Sequence, residues 1–441
     1  MKTEILRVAQ YVDKHPVLAA RERYKRKYIN TLEYFVRKYS EEDLYANELL
    51  NLYKEKILSM PINYTYKDGT LKKVSRGVIS VKSSVFFLYK IYRYCLLIDA
   101  IFICSYLDSE KSKKIYNEIL EINAKRHWKK LEEIFDYIVG KNINSNILNS
   151  IDFIRDSLMS NRKFINCKEK KILVTANMSA GKSTLLNSII GKKVNKTQND
   201  ACTSKIHYLF NKAFEDNLSY EYDHELKLDA GYNELMNDNE SNKSNEIYVG
   251  TRFRSIEDIN SSICFIDTPG VNSSQDRIHR DISEQMISAN EYDTMMYVMN
   301  GENIGTEDDM RHLEFVFKNF KGKIIFVINK LDRFRKEDSI FNTLEQVKKD
   351  LNKVGFINPI ICPVSAYAAY LAKMSLFGEV LNDDEQDELD SFYRKLKREK
   401  YRLNTYYADG YKDFFISKDK NEQLLLYSGI LSLEKILYEE R

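Results

Sequence analysis

The amino-acid sequence predicts an α/β fold over residues 166–441, a doubly wound and mostly parallel sheet, preceded by an all-helical bundle over residues 1–165. Two observations carry this. Up to about residue 165, apolar residues recur at helical spacing, and only five prolines and fifteen glycines interrupt the 441 residues; helices tolerate few of either. Beyond residue 170 the character changes to short β-branched runs, each followed by a loop and a helical pattern, which indicates a parallel sheet covered by helices.

Within the first 165 residues, Ser40-Glu41-Glu42-Asp43 reads as a capping box opening a helix through Leu49, Leu50 and Tyr53. Asp68-Gly69 is a turn signal between two short Tyr- and Val-containing runs, the pattern of one hairpin. The run from Val85 to Ile103 is long enough to cross a bilayer, but Lys90, Arg93 and Asp99 interrupt it. A charge at mid-membrane costs roughly 2.5–3.5 kcal/mol, so a buried core helix is expected. From Lys111 to Val139, Ile115, Ile119, Ile122, Trp128, Leu131, Ile134 and Ile138 recur mostly at three- and four-residue steps. That predicts one helix with an apolar stripe, as used in bundles and coiled coils.

In the second part the strand-like runs are Lys171–Thr175, Ile263–Ile266, Met295–Val298, Ile324–Ile328 and Ile360–Val364. Phe214–Asn245 is rich in Asp, Asn, Glu and Ser and reads as a surface insertion; insertions are expected at about 212–250 and 376–425. The segment after Asp383 reads as an exposed helix.

The balance of 68 basic and 65 acidic side chains gives a formal charge of +3, so no bulk basic field argues for nucleic acid, which is not expected as a partner, although a local basic face is left open. The six cysteines, at 95, 104, 167, 202, 264 and 362, form no CxxC pair and no zinc-like cluster with histidine. Reduced thiols in a cytoplasmic protein are expected. Met1–Glu22 lacks the apolar core of a signal peptide.

The first strand of the second part runs into Ala176-Asn177-Met178-Ser179-Ala180-Gly181-Lys182-Ser183, and Thr184 then opens a helix to Ile190. This is P-loop spacing with Ala in place of the first Gly, and it works if position 176 keeps a negative φ. Backbone N–H groups over 177–184 would face a triphosphate at a helix N-terminus. Lys182 would bridge the β- and γ-phosphates and Ser183 would ligate Mg²⁺. Asp267-Thr268-Pro269-Gly270 ends the next strand; Asp267 would hold Mg²⁺ and the Gly270 amide would sense the γ-phosphate. Asn329-Lys330-Leu331-Asp332 follows the Ile324–Ile328 strand. The Asp332 carboxylate can accept the N1 and N2 hydrogens of guanine, which adenine lacks. Ser365-Ala366 follows the last strand, where a backbone amide would meet guanine O6. Thr203 is placed to close over Mg²⁺, with Thr197 and Ser204 as neighbouring alternatives. Four signals in this order, each at the end of an apolar strand, indicate a P-loop GTPase binding GTP and GDP.

At these residues the chain resembles the bacterial dynamin-like GTPases. Met178–Asn187 is similar to their P-loop, Ala201-Cys202-Thr203-Ser204 to their switch I, and Ser428-Gly429-Ile430 with Leu433-Glu434 to their closing helix. The resemblance covers roughly 168–375 and 426–441. It implies homodimerisation across the nucleotide face, fast hydrolysis and weak nucleotide affinity. Val271 stands where small Ras-like GTPases place a water-orienting Gln, so another group must orient the water. The resemblance gives Ser179 to transition-state stabilisation, with a monovalent cation (K⁺ or Na⁺), and the Thr203 carbonyl to the attacking water. Lys182 completes that catalytic set. Met178 would crowd the γ-phosphate, so activation by self-association is expected. Residues 1–165 carry no motif of the family. A second dynamin-like or helical polypeptide is expected to complete the assembly, with peripheral membrane contact left open. Two rival readings stand beside this: a GTP-gated regulatory or scaffold module with little turnover, and an RNA- or ribosome-associated GTPase.

Overall fold

The computed structural model describes residues 12–58, 65–78, 92–105, 108–141, 151–165, 168–176, 180–194, 205–213, 215, 219–223, 226–227, 230–233, 235, 245–256, 262–268, 277–335, 337–412, 414 and 418–439. It divides into two compact units, one of Met1–Cys167 with Ala213–Leu218, the other of Lys168–Lys212 with Ser219–Arg441.

The first unit is helical: α1 (Glu22–Tyr39), α2 (Leu44–Ile57), the short α3 (Leu71–Val74), α4 (Tyr92–Cys104), α5 (Ser109–Glu121), α6 (Trp128–Ile138) and α7 (Asp152–Ile165). Helix α4 is the buried centre: Leu96, Leu97, Ile98, Ala100 and Ile101 are wholly inaccessible. Asp99 interrupts this apolar run because three partners stabilise it in the core. Its carboxylate meets His15 Nε2 at 2.9 Å and accepts hydrogen bonds from the hydroxyls of Tyr28 and Tyr53, so the buried charge is fully partnered. Among the described residues no helix is long and apolar enough to cross a membrane.

Three local expectations are corrected here. The N-cap of α2 is Asp43, whose Oδ1 accepts from the amides of Tyr45 and Ala46; Ser40 instead ends α1 and donates to the Cys104 carbonyl at 2.8 Å. The turn signal at Asp68-Gly69 leads into the helical turn α3, and 65–70 form no strand. The helix expected over 111–139 is two helices. Asn123 breaks it by donating its side-chain amide to the Ile119 carbonyl at 2.7 Å, and Trp128 Nε1 donates back to the Asn123 carbonyl at 3.1 Å. An Asn amide competes with the helical backbone in this way.

The second unit is built on a nine-stranded sheet of order β4-β3-β5-β2-β6-β1-β7-β8-β9. The strands are β1 (Lys170–Ala176), β2 (Ile206–Asn211), β3 (Tyr220–Tyr222), β4 (Leu226–Lys227), β5 (Glu246–Thr251), β6 (Ile263–Asp267), β7 (Thr294–Asn300), β8 (Lys323–Asn329) and β9 (Ile360–Pro363). From β6 through β9 all neighbours are parallel. β2 pairs antiparallel to β6 and parallel to β5, and β3 and β4 add antiparallel edge strands. The stretch read as a surface insertion therefore extends the sheet. β6 and β7 are buried on both faces apart from Asn300 at the end of β7, which is why they read as continuous apolar runs. The helices are α8 (Lys182–Ile190), α9 (Arg277–Ala289), α10 (Glu307–Asn319), α11 (Ile340–Val354), α12 (Ala366–Leu376), α13 (Asp383–Leu396), α14 (Lys420–Tyr427) and α15 (Ile430–Tyr438). The segment after Asp383 is a helix with a full capping box, Asn382 with Glu385, and only Leu389 and Leu396 are buried. Register pairs Val174 with Asp267 and Asn300 with Asn329, so the motif-bearing strand ends share one edge of the sheet. Ligands of parallel α/β sheets bind beyond that carboxyl edge.

Candidate nucleotide site

The phosphate side begins at Ala176, the last residue of β1, which does not adopt a positive φ. The replacement of the first P-loop glycine therefore costs no left-handed strain. Gly181 is different: its φ is +83°, and a Cβ there would lie 2.5 Å from Asn329 Nδ2. Only glycine fits both demands. Lys182 follows as the first residue of α8, its side chain nearly buried, and its ammonium donates to the Asp267 carboxylate and the Thr268 carbonyl. Asp267 ends β6 and is wholly buried. Thr268 Oγ1 donates to the Val174 carbonyl at 3.0 Å, fastening the turn after β6 to β1. Ser183 and Thr184 are half-buried in the first turn of α8.

The base side is organised by one amide. Asn329 Nδ2 donates to the Ala180 carbonyl at 2.9 Å, and its Oδ1 accepts from the Ala366 amide at 3.0 Å. One side chain thus ties the loop before α8 to the turn after β9. Asp332 is buried, and its Oδ1 accepts from Ser365 Oγ at 2.7 Å. Burial pushes its carboxyl pKa up, while the Ser365 hydroxyl works the other way. Lys330 is one of three non-glycine residues among those described with positive φ, at 67°, and burial lowers its pKa. The left-handed turn at Lys330 lets the chain leave β8 and swing Asp332 back towards Ser365.

Lys182, Asp267, Ala180, Gly181, Asn329, Lys330, Asp332, Ser365 and Ala366 are thereby gathered at one edge of the sheet. Asn177, Met178, Ser179, Thr203, Gly270 and Val271, with Thr197 and Ser204, lie outside the described residues. Sequence reasoning missed Lys395 of α13, whose ammonium donates to the carbonyls of Asp332 and Phe334 and so anchors the turn after β8. No motif spacing points to a lysine more than sixty residues downstream. It also gave Ser365 a role only through the backbone, whereas its hydroxyl orients Asp332.

The donor set suits Mg²⁺. A buried carboxylate and a serine hydroxyl are hard oxygen ligands, and this ion is ordinarily held by one or two such groups plus substrate phosphates and water. The described cysteines, Cys95, Cys104, Cys264 and Cys362, are buried free thiols.

Residues 172–331 match the model of the Dynamin family. A probable transmembrane GTPase FZO-like, chloroplastic, from Arabidopsis thaliana is 26% identical over 215 residues, covering 48% of this chain and 21% of the relative. The GTPase Era of Haemophilus influenzae (strain PittGG) is 21% identical over 262 residues, covering 58% of this chain and 65% of the relative. This chain thus spans about a fifth of the plant relative's length and just under two thirds of the bacterial one. Among solved structures, an oligomerised bacterial dynamin pair, described as providing a mechanism for the long range sensing and tethering of membranes, aligns over 81% of this chain and 62% of its own. That alignment has 16% identity and a TM-score of 0.39.

Proposed function

We propose, from the match of residues 172–331 to the Dynamin family model, that the chain as a whole is a self-activating GTPase that couples GTP hydrolysis to movement of its N-terminal helical region. The observation that carries the reading is the double role of Asn329, which joins the phosphate-facing loop to the base-facing turns. Occupancy at one side then stiffens the other, as a nucleotide switch requires.

In the proposed reaction water attacks the γ-phosphorus and GDP leaves. Lys182 exchanges its contact with Asp267 for the β- and γ-phosphate oxygens and neutralises the charge that develops on them. Ser183, Asp267 and Thr203 would hold Mg²⁺, which would supply charge neutralisation at the triphosphate. Asp332, oriented by Ser365, accepts the guanine N–H groups, and the Ser365 and Ala366 turn closes on the ring. Backbone donors to the phosphates would come from Asn177, Met178, Ala180, Gly181 and Thr184, and Gly270 would report loss of the γ-phosphate. Ser179, with a K⁺ or Na⁺ ion, is the proposed transition-state stabiliser, and the Thr203 carbonyl the proposed holder of the attacking water.

Self-association across the nucleotide face is the proposed activator, with a second helical polypeptide completing the assembly, in the cytoplasm or peripherally at a membrane. Phosphate release measured across a dilution series tests this: specific activity should rise with protein concentration. Constant specific activity at all concentrations would contradict self-activation, and tight GTP binding without phosphate release would replace the enzyme with a GTP-gated scaffold.

A further inference from the structure

The guanine-facing turn has a neighbour that the nucleotide reading does not use. Between α13 and the turn after β8 lies a cavity of about 430 Å³. Its floor is aromatic and buried, made by Phe334 and Tyr401. Its rim carries Arg335, Arg394 and Arg398, all exposed, and half-buried Lys395 lies between floor and rim. Ser391 and Arg394 lie three residues apart on α13, Arg398 lies just beyond its end in extended backbone, and all three line the cavity. The run Arg394-Lys395-Leu396-Lys397-Arg398-Glu399-Lys400-Tyr401-Arg402 holds six cations in nine residues.

The nearby carboxylates offset this charge only in part: Asp332 bonds Ser365 and lies within electrostatic reach of Lys395, Asp338 accepts the Arg335 backbone amide, and Asp390 pairs with Lys420 while also within reach of Arg394, whose Nε donates to the Asp390 backbone carbonyl. Among the described residues, none of the three rim guanidinium groups forms an ion pair with a carboxylate. Three guanidinium groups and an ammonium gathered around one concavity repel each other, and the C-terminal end of a helix offsets this only in part. An anion of matching charge density resolves it, and guanidinium forks suit phosphate oxygens in particular.

We propose that this basin is a second anion site, distinct from the P-loop, for a ligand carrying two or more clustered phosphates. Its volume lies within the small-molecule range and it opens to solvent, so a compact polyphosphate can enter between the rim guanidinium groups. The proposal does not depend on the GTPase reading.

The test is calorimetric titration of the full chain with inorganic tripolyphosphate at fixed ionic strength, in the Lys182→Ala background to remove the P-loop lysine. Saturable binding is expected, weakened about tenfold or more by Arg394→Gln with Arg398→Gln. Lys395 is left in place because it anchors the turn after β8. Arg394→Lys with Arg398→Lys, which keeps the charge, should bind between the two, and circular dichroism checks that each variant is folded. Sedimentation with phosphatidylcholine vesicles, with and without phosphoinositide, separates the sources. Pelleting that is lost in the glutamine variant supports the site with a lipid headgroup as ligand. Tripolyphosphate binding without pelleting supports a free polyphosphate. Absence of tripolyphosphate binding, binding indifferent to the arginines, or arginine-dependent retention of single-stranded RNA without tripolyphosphate binding would overturn the proposal.

Discussion

The Lys373 ammonium on α12 is fully buried against the Glu434 carboxylate on α15. It also donates to the Ile189 carbonyl at 2.8 Å, at the end of the helix that starts with Lys182, while Glu434 Oε2 accepts from Ser255 Oγ at 2.7 Å. The C-terminal helix is thereby tied to the far end of the P-loop helix through one ion pair. Desolvation lowers the Lys373 pKa, and Glu434 opposes that.

Removing one partner of such a pair leaves a bare charge in the core. Lys373→Met should therefore destabilise the second unit by about 3–5 kcal/mol, whereas Lys373→Met with Glu434→Met should recover most of the loss. Thermal melts of the two variants measure the difference. A double variant no better than the single one would mean that packing, not the orphaned charge, dominates.

Gly181→Ala probes the seam between the two halves of the site. The new Cβ meets Asn329 Nδ2 at 2.5 Å in a backbone conformation that alanine resists. Nucleotide affinity should fall by about tenfold or more, and the folded-state strain of roughly 1–2 kcal/mol should lower the melting temperature by a few degrees. Retained affinity would show that the Ala180–Asn329 connection is not needed for binding.

His312 supplies a pH dependence. It lies on α10 with Nδ1 at 2.9 Å from the Tyr297 hydroxyl, and burial pushes its pKa from the ordinary 6.5 down to about 4. Between those values the unfolded chain binds the proton and the folded chain does not, so stability falls as pH drops through the window. The full loss is on the order of 3 kcal/mol at 1.36 kcal/mol per pH unit. Denaturant midpoints measured from pH 7 to pH 4 should show this, and His312→Gln should flatten the curve. An unchanged slope in that variant would assign the effect to other groups.

Asp332→Asn exchanges an acceptor for a donor at the guanine edge. Affinity for GTP should fall by on the order of a hundredfold, and xanthosine triphosphate, with an acceptor at the corresponding ring position, should bind in its place. Nucleotide competition assays read both effects. Loss of GTP binding without any gain for the xanthine nucleotide would place Asp332 in a structural role.

The sequence was most legible where local chemistry and strand order coincide. Asp267, Asn329 and Asp332 each sit at or just beyond the carboxyl end of an apolar run, and the parallel sheet brings such ends to one edge whatever the details of packing. Local signals were less secure. Ser40 and Asp43 are both good caps, and only the path of the chain selects Asp43. Asn123 breaks a stripe that is periodic on both of its sides, and β3 and β4 hide in a polar stretch because strands of three and two residues are too short to show an alternating pattern. Lys373, Lys395 and the basin beside α13 were illegible, since their meaning lies in partners some sixty to 180 residues away along the chain.

Calorimetry of the full chain with GTP, GDP and ATP in the presence of Mg²⁺ tests the central claim most directly. Guanine nucleotides should bind at one site per chain, with ATP weaker by on the order of a hundredfold because adenine lacks the two N–H donors that the buried Asp332 carboxylate would accept. Equal uptake of ATP, or no heat with any of the three, would contradict it.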